Sequence, residues 1–104
     1  MTEVADVPIQ TVVGKLKELA PALRAAGIKR LSLFGSRARG DARPDSDLDV
    51  LIERTSQGET PRFDYFKAIR LMEDGVGLQV QIAMKNQLRP RVAERIADDV
   101  IEVF

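Results

Sequence analysis

Three aspartates, Asp45, Asp47 and Asp49, stand at alternate positions within LFGSRARGDARPDSDLDVLIE, residues 33–53. Side chains two apart on a strand share a face, so Asp47 and Asp49 are expected to point together at the start of an otherwise apolar strand. Asp45 has the same parity but follows Pro44 in a turn cluster, which leaves its direction open. Two carboxylates held this close repel, and one tends to keep its proton. A divalent cation removes the conflict. Mg²⁺ takes one or two protein carboxylates and fills its other positions with water and phosphate oxygens.

The same stretch begins with Gly35-Ser36, after an apolar run and before a short basic turn. Glycine there lets the backbone approach a ligand closely. N–H groups at a helix start favour an anion. The Ser36 hydroxyl adds a donor, and Arg37 or Arg39 can offset phosphate charge. A phosphate cradle beside a metal site is what phosphoryl or nucleotidyl transfer requires. Taken singly, each feature is ordinary: Gly-Ser is a common turn, RARG a solvated basic loop, and Asp-x-Asp a common strand start. Their combination and order carry the signal.

The composition narrows the chemistry. The chain has no cysteine and no histidine, so a thiolate zinc site, a disulfide framework and an imidazole base are excluded. Carboxylates, hydroxyls, lysines and arginines remain, and carboxylate sites suit hard cations. Sixteen basic and sixteen acidic residues cancel, which argues against a general nucleic-acid binder. A length of 104 residues fits one domain, 1–104, whose modest core a partner chain can complete. The start, MTEVADVPIQ, lacks the basic-then-apolar order of a signal peptide. No apolar run approaches the roughly 20 residues that span a bilayer, so a cytoplasmic location is expected.

The elements that must position these residues follow from periodicity. Ile9, Val12, Val13, Leu16, Leu19, Ala20 and Leu23 recur at steps of three and four, an amphipathic helix. Asp6 with Pro8 marks its start, Gly27 its end, and Pro21 interrupts it. Residues 30–34 make a short strand, 36–40 a helical turn, 41–46 a turn cluster and 47–53 a second strand, apolar on both faces at its far end and hence central. After a polar loop, 62–74 is expected as a helix with Phe63, Phe66, Ile69 and Met72 inward. Residues 75–77, GVG, form a turn, and 78–84 a third strand with Leu78, Val80 and Ile82 on one face. The remainder is expected to be largely helical after Pro90, with Val92, Ile96, Val100 and Ile101 inward. One small sheet flanked by helices results, an α/β architecture.

On these residues the chain resembles a family. LFGSRARGDARPDSDLDVLIE is similar to the signature of the polymerase-β-like nucleotidyltransferases, and in particular of the minimal nucleotidyltransferase (MNT) domains. AAGIKRLSLFGS, the helix at 62–74, LQVQIA and LRPRVAERIADDVIEVF extend the likeness over most of the chain. The resemblance implies that fold, a small mixed sheet flanked by helices. It also implies that Gly35 and Ser36 bind a nucleotide triphosphate and that Asp47 and Asp49 carry Mg²⁺ in a two-metal site. A hydroxyl then attacks the α-phosphate and pyrophosphate leaves. It further implies a helical HEPN-type partner encoded nearby, a ribonuclease toxin to which such a protein is the antitoxin, with AMP moved from ATP onto a hydroxyl of that partner.

The sequence departs from the family at one position. The third strand normally carries an aspartate, and here Val80-Gln81-Ile82-Ala83 places glutamine there. Gln81 can offer an amide oxygen to a cation, but it adds no negative charge and is no base. Losing a general base costs about 10²–10⁴-fold in rate, and the second, activating metal should bind more weakly. Three readings follow: an Mg²⁺-dependent protein adenylyltransferase, an MNT-fold protein that neutralises a helical partner by binding alone, and a nucleic-acid-modifying or nucleic-acid-binding domain. The first is preferred, and Gln81 keeps the second open. Neutral charge and a single tyrosine argue against the third.

Overall fold

A computed structural model describes residues 8–104. The expected helix start at Asp6 lies outside the described residues. Pro8 precedes α1 (Ile9–Glu18), which buries Val12 and Leu16. The helix stops at Leu19 and restarts as α2 (Ala20–Ala25), with Pro21 in its first turn. Proline has no N–H to give and crowds the preceding turn, so one apolar stripe is split over two helices. Gly27 ends the pair at φ +95°, and a Cβ there would overlap the backbone of Phe63.

β1 (Ile28–Phe34) and β2 (Leu48–Arg54) pair antiparallel, with Leu31 opposite Ile52 and Phe34 opposite Asp49. Between them lies α3 (Gly35–Arg39), closed by Gly40 in the left-handed conformation. β2 continues through α4 (Tyr65–Val76) to β3 (Val80–Met84), which runs parallel to it. A parallel pair needs such a crossover. A 3-10 turn, α5 (Pro90–Ile96) and a second 3-10 turn lead to β4 (Ile101–Glu102). β4 pairs antiparallel with β1, so the sheet order is β3-β2-β1-β4. β2 is central, as its two-sided apolar end requires.

Alternation decides what each face of the sheet does. Leu31, Leu33, Leu48, Val50 and Ile52 are fully buried with Leu16, Leu23 and Met72 from the helices. Asp49, Leu51 and Glu53 have the opposite parity and are only half-buried. The α1, α2 and α4 layer therefore makes the core, and the other face carries the aspartate.

Three expectations are corrected. The helix at 62–74 runs from Tyr65 to Val76, because the Asp64 side chain caps it by accepting from Lys67 N–H at 3.1 Å. That start turns Ala68, Met72 and Val76 inward and leaves Phe66 76% exposed. Gly75 and Val76 belong to this helix, and Gly77 alone makes the turn at φ +73°. The chain after Pro90 is not one helix: α5 ends at Ile96, Val92 is exposed, and the last residues form a fourth strand with Val103 buried. Backbone bonds to β1, including Val103 N–H to Leu31 O at 2.9 Å, outweigh a helical pattern too short to bury itself.

Candidate active site

Asp47 immediately precedes β2, and Asp49 lies within it. Register sets Asp49 between Phe34 of β1 and Gln81 of β3. Burial raises the Asp49 pKa above the ordinary carboxylate value, the neighbouring Asp47 charge raises it further, and Arg39 opposes both. The two carboxylates thus share one electrostatic neighbourhood. Asp45 is exposed in the turn.

Gly35 closes the site from the side of β1. Its φ is +80°, and a Cβ added there would overlap Asp49 Oδ2. The glycine lets the aspartate carboxylate lie against the strand-to-helix turn, a need the sequence pattern shows only as a permissive backbone. Ser36 follows in the first turn of α3, which receives no side-chain cap from Phe34.

Arg37 stands elsewhere than the sequence suggests. It is buried, and its guanidinium donates to carbonyl oxygens of the following loop: Nε to Ser46 O at 3.0 Å, and Nη2 to Pro44 O at 3.1 Å and Arg43 O at 3.3 Å. Ser46 Oγ accepts from Arg43 N–H at 2.9 Å in the same turn. Arg37 therefore braces the segment that delivers Asp47, because one buried guanidinium ties three of its backbone carbonyls. Arg39 is the exposed arginine of the pair. Its Nε lies 3.2 Å from Asp41 Oδ2, and Nη1 lies 3.8 Å from Asp99 Oδ2. It is also the cation that acts on Asp49.

Gln81 reaches across to the aspartates. Its Nε2 donates to Asp47 Oδ2 at 3.1 Å. The contact depends on the parallel register of β2 and β3, which local sequence does not reveal. Among the described residues no three acidic, histidine or cysteine side chains converge as a metal cluster. The donor set is the Asp47–Asp49 pair. Hard oxygens and a mutual repulsion that already shifts Asp49 fit a divalent cation.

A family model described as a nucleotidyltransferase domain matches residues 9–103. The chain belongs to the nucleotidyltransferase domain family. Its Gly35-Ser36 turn, aspartate pair and four-stranded mixed sheet lie inside the matched region. This nucleotidyltransferase domain is 30% identical over 81 residues to protein adenylyltransferase MntA of Thermococcus cleftensis, spanning 74% of the chain and 76% of that protein. A solved minimal nucleotidyltransferase superposes with a TM-score of 0.69 at 31% identity, covering 91% of this chain and 95% of that one. A chain from the complex of tri-AMPylated Shewanella oneidensis HEPN toxin with MNT antitoxin shares the fold at a TM-score of 0.57 and 14% identity, over 91% of this chain and 71% of that one. No described helix of the nucleotidyltransferase domain is long and apolar enough to cross a membrane.

Proposed function

We propose that the protein is an Mg²⁺-dependent adenylyltransferase that moves AMP from ATP onto a hydroxyl of a helical HEPN-type partner, as the antitoxin of a toxin pair. The observation that carries this reading is the close approach of Asp49 to the Gly35 turn, with Asp47 beside it. The likeness to an adenylyltransferase by name, and to a fold seen with an AMPylated HEPN toxin, supports the acceptor class.

In this reading Gly35 and Ser36 receive the triphosphate, the Ser36 hydroxyl and turn N–H groups donating to it. Arg39 neutralises phosphate charge from the rim, and Arg37 holds the loop rather than the nucleotide. Asp47 and Asp49 would hold Mg²⁺, which supplies charge for the phosphates and the departing pyrophosphate. The acceptor oxygen forms a bond to the α-phosphorus, the bond to the bridging oxygen of pyrophosphate breaks, and the acceptor proton passes to solvent water. Gln81 is an amide and does not take the acceptor proton at neutral pH.

One observation favours a second reading. Gln81 donates to Asp47 where a third carboxylate would add charge, so neutralisation by contact alone, with transfer slow or lost, is the competing account. Asp47→Ala separates the two. If transfer matters, the variant still forms the partner complex, measured by co-purification, yet no longer relieves toxicity in cells. Relief retained by Asp47→Ala establishes contact alone.

A further inference from the structure

β3 lies at one edge of the sheet, and among the described residues no strand pairs with its outer side. The ladder fixes which backbone groups point there. Leu48 N–H donates to Gln79 O at 2.8 Å, so Gln79, Gln81 and Ala83 turn their backbone groups toward β2, and Val80, Ile82 and Met84 turn theirs outward. Glu73 Oε2 of α4 accepts from Val80 N–H at 2.9 Å. The N–H and C=O of Ile82 and the N–H of Met84 follow along the open edge. We infer that this edge receives an extended segment of the acceptor protein as a fifth strand, which brings the acceptor hydroxyl beside the aspartates. The inference rests on the functional reading above.

Three observations carry it. The edge lacks the devices that keep strands apart. Charge, proline or a bulge commonly blunts an edge strand, whereas β3 reads Val-Gln-Ile-Ala-Met and keeps an unbroken register with β2. The edge also adjoins the site. Gln81 stands opposite Asp49 and donates to Asp47, and a residue added next to Gln81 shares that face. It lies two strand spacings, about 10 Å, from Asp49, a gap that a long side chain leaning over Gln81 covers. Finally, the other face of an added strand finds apolar cover. Phe66 is 76% exposed, and with Ile69 it shares a face of α4 with Glu73, the residue tied to Val80. Strand addition uses each feature: main-chain bonds hold the segment, and alternate side chains reach the two faces. A second copy of β3 would bring no hydroxyl to this place, because Val80–Met84 has no serine, threonine or tyrosine.

Amide hydrogen exchange tests the edge, in the natural protein alone and in its complex with the proposed HEPN-type partner. The Ile82 and Met84 amides should exchange about tenfold or more slowly in the complex, while Val80, already held by Glu73, changes less. With α-labelled ATP and Mg²⁺, the label should fall in a partner segment whose own amides slow at alternate positions. Phe66→Ser should weaken the complex about tenfold and leave ATP affinity within about twofold. A complex that forms and is labelled while Ile82 and Met84 exchange as in the free protein overturns the strand assignment and leaves the functional reading standing. Protection without label makes the edge a binding strand only and overturns its part in presenting the acceptor. Protection that rises with the concentration of the natural protein alone assigns the edge to a second copy and overturns the inference too. Absence of both complex and label overturns the functional reading and the strand assignment with it.

Discussion

Asp49 is the residue on which folding and function pull in opposite directions. Its carboxylate is partly buried beside Asp47, and its pKa is raised by burial first and by Asp47 second. A carboxylate with a raised folded pKa binds its proton more readily in the folded state. Stability therefore falls as pH rises through the window between the unfolded and folded values, and stays lowered above it. Asp49→Asn removes that cost. Without divalent cation, the variant should unfold at higher urea than the natural protein near neutral pH, and the difference should vanish below about pH 4, where the unfolded carboxylate also holds its proton. Mg²⁺ should then raise the melting temperature of the natural protein and leave the variant unmoved. A variant less stable at neutral pH would show that Asp49 is held by contacts stronger than its repulsion. At this scale the alternation of Asp47 and Asp49 was legible, because parity is local. The roles of Arg37 and Gln81 were not. Arg37 depends on how the loop between α3 and β2 folds back on its guanidinium, and Gln81 depends on a partner strand more than thirty residues away.

Elements whose own pattern buries them were legible, and elements defined by a neighbour were not. The α1–α2 stripe broke at Pro21, and β1 and β2 fell within two residues of their expected limits. β4 has two residues and no period of its own, and it exists because β1 offers an edge. The start of α4 differs from expectation because Phe66 reads as core, whereas the Asp64 cap fixes the helix phase; Phe63 lies before the helix and still packs partly against the core. Phe66 instead meets Tyr65 edge to face, ring centroids 5.3 Å apart, on the surface. The two residues should therefore answer differently to truncation. Met72→Ala, at a fully buried position, should cost about 2–5 kcal/mol. Phe66→Ser should cost less than about 1 kcal/mol. Chemical denaturation of both variants checks the phase of the helix, and a reversal of the order would return Phe66 to the core.

Across the molecule, the sheet divides labour between its faces. Helices α1, α2 and α4 bury one face and supply the rigidity that holds Asp49 against Gly35. The other face keeps the aspartates and Gln81 on one surface. With sixteen charges of each sign, no net charge attracts ligands, and recognition rests on the local arrangement of charge. The central claim is that the arrangement transfers AMP. The most direct measurement incubates ATP labelled at the α-phosphate with the proposed HEPN-type partner, with Mg²⁺ or chelator, and with the natural protein, Asp49→Asn or Gln81→Asp. The account predicts Mg²⁺-dependent label on the partner with the natural protein, none with Asp49→Asn, and faster labelling with Gln81→Asp. Label that survives Asp49→Asn, or its absence from both the natural protein and Gln81→Asp, would contradict it.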